Sequence, residues 1–317
     1  LLGTLLDASA FFLIYFFESF YVIIFAFLIL GCGTAFGSGA GEAWVTDLLR
    51  SRRKNYLHSC LVKKQSLGGF ALVFSGILGA FFVKTFGLSI IWLIGGISFI
   101  FSFGILFSAQ EHFVIRKREN RRISQQMKVS FQYAYSHHVL FYFLLAAAIV
   151  VFAGNFGSIV GWTAFLQELG LQEYMFGYLW SAMALIGVIA PLVGSYFYKK
   201  SFEIQFILSV LVISTLISAA VLFAHSLFVA VIILLTSSFF YLVGRPVERV
   251  YFQKFIPSKL RATVGSVESM ILSLVAALAM PLAGYFVDIF GAQITLFISA
   301  ILTVPAIFVY LKIKNYK

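Results

Sequence analysis

Two charged stretches interrupt otherwise apolar sequence. The first is Ser38-Gly-Ala-Gly-Glu42-Ala-Trp-Val-Thr-Asp47, followed at once by Arg50, Arg52, Arg53 and Lys54. The second is Gly244-Arg-Pro-Val-Glu248-Arg-Val-Tyr-Phe-Gln-Lys254, followed by Pro257-Ser-Lys-Leu-Arg261. Carboxylates and guanidinium groups in such settings can hold a proton, latch to one another or meet a charged solute. Glu42 and Asp47 are five residues apart, about 140° around a helix, so they do not share a face and are not an acid–base pair. Arg245 and Glu248 stand at i,i+3 and can pair. Arg245 and Arg249 stand at i,i+4 and repel unless a carboxylate or an anion lies between them. Pro246 removes a backbone donor in the middle of this group and predicts a kink. Neither stretch offers the clustered His, Asp, Glu or Ser of a hydrolytic centre, and no HExxH or CxxC spacing occurs. Cys32 and Cys60 lie in or beside apolar runs, where packing is their expected role; no metal site and no cofactor is expected.

The elements that carry these residues are set by the solvent they require. Hydrophobic residues make up 61% of the 317-residue chain and charged residues only 11%, far from the roughly 45–50% and about 25% of soluble domains. The apolar runs are continuous, not alternating, and of the order of 20 residues, which excludes a barrel and predicts a polytopic bundle of α-helices. Ten transmembrane helices are expected, near 1-17, 19-48, 57-83, 87-109, 136-160, 174-198, 203-224, 226-252, 263-287 and 290-312. Every one of the 23 Lys and Arg residues except Lys84 then falls on one side of the membrane. The positive-inside bias assigns that side, and both chain ends, to the cytoplasm. The same bias explains the net charge of +11 without nucleic acid. The polar segment 110-134 divides an N-terminal half of four spans (1-109) from a C-terminal half of six (135-317), and is expected to be a solvated linker near anionic lipid. The chain opens at Leu1 within an apolar run, so an N-terminal portion is expected to be missing.

Depth then sorts the polar residues. Glu42 lies about 20 residues from the far end of its helix, near the inner boundary, which suits a gate or protonation site better than direct substrate contact, with a structural ion pair to a basic loop as the alternative. Asn155, flanked by Gly154 and Gly157, could contact a solute or bond another helix. Gln65, Trp162 and Trp180 are further cavity candidates, although the tryptophans also suit an interfacial belt. Asp7, Glu268 and Asp288 are expected near span ends, with Glu268 a turn or more inside. His137, His138 and His225 are expected to be solvated at interfaces.

Glu42 and Glu248 can be superposed so that Arg53 and Lys259 each follow eleven residues later, and a glycine-containing helix resumes after each: Gly68, Gly69, Gly76 and Gly79 in one case, Pro281 and Gly284 in the other. Small residues allow close helix approach and proline allows a bend, which marks these as plausible moving seams. Four spans, a linker and six spans become six plus six if two helices precede Leu1. This arrangement resembles the major facilitator superfamily, built from two six-helix repeats. Gly31-Cys-Gly-Thr-Ala-Phe-Gly-Ser-Gly-Ala-Gly-Glu-Ala-Trp-Val-Thr-Asp47 resembles that family's fourth helix, Ile256-Pro-Ser-Lys-Leu-Arg-Ala-Thr-Val-Gly-Ser266 its loop between the tenth and eleventh helices, and Trp162-Thr-Ala-Phe-Leu-Gln-Glu-Leu-Gly-Leu171 the outer end of its seventh. The chain departs from the family at Phe27, where many proton-coupled members carry arginine, at Ser75-Gly-Ile-Leu-Gly79, which lacks the antiporter proline, and at Gly194-Ser-Tyr-Phe-Tyr-Lys-Lys200, which lacks an acidic residue.

The resemblance implies a secondary transporter, not an enzyme, moving a small molecule by alternating access in the cell membrane as a monomer. Proton-coupled efflux is the expected subclass, with uptake of a sugar, peptide or carboxylate as the alternative. A channel filter or pore-lining rings are not evident in the sequence. Glu42, Asp47, Arg245, Glu248, Arg249 and Arg261 are the gating or proton-coupling candidates. Asn155, Gln65, Trp162, Trp180 and Glu268 are the substrate-cavity candidates.

Overall fold

The computed structural model describes residues 1–37, 54–108, 131–133, 135–157, 159–197, 202–257 and 260–314. The stretch holding Glu42 and Asp47 and most of the expected linker lie outside the described residues. Among the described residues the chain is helical without strands: α1 Leu2–Phe16, α2 Phe20–Gly37, α3 Lys54–Phe86, α4 Ile90–Phe107, α5 His138–Gly157, α6 Ile159–Glu168, α7 Met175–Phe197, α8 Glu203–Ala219, α9 Leu227–Lys254, α10 Arg261–Phe290 and α11 Ala292–Lys314. By length and composition nine of these segments can cross a membrane, with α5 and α6 counted as the single span His138–Glu168. The expected first span reaches only Leu2–Phe16, shorter than the others, so nine membrane-length helices and one shorter apolar helix stand where ten spans were expected. The protein is an integral membrane protein.

Helix ends follow local chemistry. Ser226 caps α9 by accepting the Val229 amide at 3.4 Å. Gly87 and Gly291 adopt φ of 85° and 81° where α3 turns into α4 and α10 into α11, a backbone region open to glycine at little cost. Pro191, Pro246, Pro281 and Pro305 all lie inside helices, as neighbours in a membrane bundle permit.

The chain divides into two compact units. One comprises α1–α4 together with Glu173–Ser181, the start of α7. Its close approaches are made by small residues. Gly3, Asp7, Ala8 and Ala10 form the buried side of α1, and Ala26 and Gly33 that of α2. Gly96 of α4 lies against the ring of Phe12. On α3, Gly76 meets Gly177 and Ser181, and the Ser181 hydroxyl donates to the Val73 carbonyl at 2.7 Å. Of the expected seam glycines Gly76 is closely packed, whereas Gly68, Gly79 and Gly284 face open space.

The other unit comprises α5, α6, α8–α11 and α7 from Ala182 onward. Its core joins α5, α8, α9 and α11 through Leu140, Phe143, Ile207, Phe252 and Tyr310. Phe143 stacks on Phe252 with centroids 5.0 Å apart and meets Tyr310 edge-on at 5.7 Å, an arrangement that adds to area burial. Gly244 leaves room for Val210. At the end of α8, the Gln293 amide of α11 donates to the carbonyls of Val221, Leu222 and Ala224 at 2.9, 3.3 and 3.3 Å, and so satisfies acceptors that a helix terminus leaves free.

Candidate functional site

The charged residues of α9 gather where this helix approaches its basic end. Arg245 Nη1 lies 2.9 Å from Glu248 Oε2, the i,i+3 pair that the sequence permits. The second carboxylate oxygen of Glu248 accepts a hydrogen bond from the Tyr310 hydroxyl of α11, also at 2.9 Å. Tyr310 is 1% exposed and packed in the aromatic core, so its hydroxyl is fixed in place. The Glu248 side chain is 13% exposed and that of Arg245 45%. The carboxylate is therefore held between a rigid buried donor and a half-exposed cation.

Arg249 turns to a different partner. Its Nη1 lies 2.6 Å from Glu268 Oε2 of α10, so each arginine has its own carboxylate and the i,i+4 repulsion is relieved. Lys254, at the end of α9, pairs with Glu203 at the start of α8. These three ion pairs tie α9 to itself, to α10 and to α8, while Tyr310 adds α11. Beneath Glu248 a small cavity is walled by Val150, Ile207 and Val210, with Tyr241, Glu248 and Tyr310 as its polar edge. Its size suits a water molecule, not an organic solute. The cluster can therefore hold charge and latch four helices, but it does not enclose a substrate.

The remaining sequence candidates are dispersed. Asn155 donates to the Val151 carbonyl of its own helix at 2.8 Å. Trp162 is half-buried, with its ring 6.1 Å from Phe165, and Trp180 is 57% exposed. Glu268, expected as a cavity residue, serves as the partner of Arg249. Gln65 lies on α3 and Arg261 begins α10, but their side chains fall outside the described residues. Tyr310 was not legible as a site residue: it lies 62 positions from Glu248 and reads as one more aromatic in an apolar helix. The only hint was its place among the cations at the end of α11. Asp7, expected near a span end, is buried on α1 against α2.

A family model described as Major Facilitator Superfamily matches residues 1–275. The chain belongs to this superfamily. A comparison with curated proteins finds no match. Among solved structures, the chain is similar to a bacterial homologue of the iron transporter ferroportin in an inward-facing state, with a TM-score of 0.74 at 17% identity, covering 98% of this chain and 80% of that one. It is also similar to a bacterial metal transporter, with a TM-score of 0.67 at 17% identity, covering 98% and 83%, and to a bacterial homologue of ferroportin in an outward-facing state, with a TM-score of 0.54 at 15% identity, covering 99% and 82%. At such identities the likeness is one of fold. As a member of the Major Facilitator Superfamily the protein is a membrane transporter and not an enzyme.

Proposed function

We propose that this transporter exports a small molecule in exchange for protons, and that the Glu248 cluster is a proton-sensitive latch on its cytoplasmic side. The observation that carries this reading is Glu248 itself, held by Arg245 and Tyr310 in a largely apolar helix. An ionised Glu248 satisfies Arg245 electrostatically and accepts from Tyr310. A protonated one loses the charge attraction and frees the guanidinium. Protonation would thus loosen the link between α9 and α11, helix neighbours that alternating access has to rearrange. Glu42, Asp47 and Arg261 would serve the same side of the membrane, and residues 1-109 and 135-317 would be the two rocking halves.

A second reading is transport of a divalent metal cation, favoured by the likeness in fold to a ferroportin homologue and to a bacterial metal transporter. Reconstitution of the full chain in liposomes separates the two. Ethidium efflux that follows an imposed pH gradient supports proton-coupled export. Uptake or release of manganese or ferrous ion with no ethidium movement would replace that reading with the second one. Sugar, dipeptide or carboxylate accumulation would point to the importer alternative instead.

A further inference from the structure

Asp7 is a charge-bearing residue that the latch does not use. It is 7% exposed on α1, and its Oδ1 is buried without a hydrogen-bond partner among the described residues. The carboxyl rests on the backbone of α2: a Cβ built on Gly33 would lie 2.8 Å from Asp7 Cγ. Only glycine leaves that space. Gly3, one turn before Asp7 on the same side of α1, meets Gly33 in turn, with its own Cβ position 2.7 Å from the Gly33 carbonyl oxygen. The carboxyl is therefore clamped at the tightest point of the α1–α2 crossing.

Depth can be counted along both helices. Asp7 lies nine residues, about 14 Å, from the end of α1 at Phe16, and Gly33 thirteen residues, about 20 Å, from the start of α2 at Phe20. In a hydrocarbon layer of about 30 Å that is near the middle. The elements packed against α1 are α2 and α4. Their titratable groups are Tyr21 and Cys32 on α2 and none on α4; α1 itself adds Tyr15, and the turn between α1 and α2 adds Glu18. Tyr15, Glu18 and Tyr21 stand at the far end of this pair, and Cys32 is exposed on another side of α2 from Gly33. No cation on these elements faces the carboxyl.

We propose that Asp7 is a proton-binding site in the N-terminal unit, occupied by a proton when the α1–α2 seam is closed. A lone ionised carboxylate inside a membrane demands a partner or water, and neither a Lys nor an Arg lies on the packed helices. A metal ion needs several oxygen, nitrogen or sulfur ligands, whereas one carboxyl oxygen suffices for a proton. The proton adds to Oδ1 and leaves from it with no other bond changed. Loss of the proton puts a charge on the Gly33 backbone contact, so the ionised form favours opening the seam to water. The role of Asp7 in coupling rests on the proton-exchange reading above; the presence of the proton does not.

The test uses the full chain in lipid bilayers, grown with isotope-labelled aspartate. The sequence holds only three aspartates, Asp7, Asp47 and Asp288, so the labelled carboxyl infrared bands are few. The expected result is a protonated-carboxyl band at neutral pH that vanishes in Asp7→Asn. If that variant does not fold, the Asp47→Asn/Asp288→Asn double variant makes Asp7 the sole labelled aspartate. Absence of the band from it overturns the proposal. The transport arm uses ethidium. Loss of at least about tenfold in pH-driven flux in Asp7→Asn, with ethidium counterflow retained, supports coupling through this site, and undiminished pH-driven flux overturns it. A wild type showing the band but no pH-driven flux would reject the antiport reading while leaving the proton site standing.

Discussion

Replacing Gly76 by alanine tests whether the α3 seam is a contact set by glycine. A Cβ at Gly76 would lie 2.5 Å from the Gly177 carbonyl oxygen and 3.1 Å from the Ser181 nitrogen. An ordinary carbon–oxygen approach is about 3.3 Å, so the helices must part by about 0.8 Å. That movement stretches the Ser181–Val73 hydrogen bond from 2.7 Å to about 3.5 Å, where it ceases to count. A gap of this width also forfeits about a quarter to a half of each contact's dispersion well along the seam. The hydrogen bond contributes about 0.6 kcal/mol in a membrane setting and overpacking costs about 1–3 kcal/mol. Against these stands alanine's helix preference of up to about 1 kcal/mol. Gly79, three residues on in the same helix, faces open space, so Gly79→Ala keeps that gain and carries none of the cost. Gly76→Ala should therefore be about 1–3 kcal/mol less stable than Gly79→Ala in detergent unfolding of the full chain. Gly177→Ala should match Gly76→Ala, because its Cβ would meet that of Ala80 at 2.8 Å. Equal stability of Gly76→Ala and Gly79→Ala would refute the reasoning.

Glu248→Ala and Tyr310→Phe each remove one partner of a single hydrogen bond, so a double-mutant cycle on unfolding free energy should return a coupling of about 1 kcal/mol; additivity within error would show that the contact contributes nothing. Exchanging the charges of Arg249 and Glu268 should depress transport in each single variant and recover it in the double, measured as initial flux in liposomes. Gln293→Leu should remove the side-chain donor that the Val221, Leu222 and Ala224 carbonyls share, destabilise the unit by about 1–2 kcal/mol and speed amide exchange around Val221–Ala224 roughly tenfold or more; unchanged exchange would show that the Gln293 contact does not hold this turn.

Much of this was readable from the sequence because the bilayer makes length and hydropathy decisive. The run from Leu227 to Lys254 could hardly be anything but a spanning helix, and the i,i+3 pairing of Arg245 with Glu248 follows from its period alone. What resisted reading depends on contacts between helices. Asp7 reads as one polar residue in an apolar run, while its burial against Gly33 of α2 arises only where the two helices cross. Tyr310 meets Glu248 because α9 and α11 pack at a particular rotation, which no local pattern encodes. The glycines illustrate the limit most directly: Gly76 and Gly79 look alike in sequence, yet one is pressed against Gly177 and Ser181 and the other faces open space.

The two anchors of α8 have a mechanical corollary. Glu203 at its first residue is bound to Lys254 of α9, and the short helical turn that follows its last residue is gripped by Gln293 of α11. Sliding by one helical turn, about 5.4 Å, would tear out both fastenings at once. Piston-like motion of α8 is thereby opposed at both ends. The helix acts as a strut that resists lengthwise sliding against its neighbours, so a tilt of α8 costs fewer fastenings than a slide.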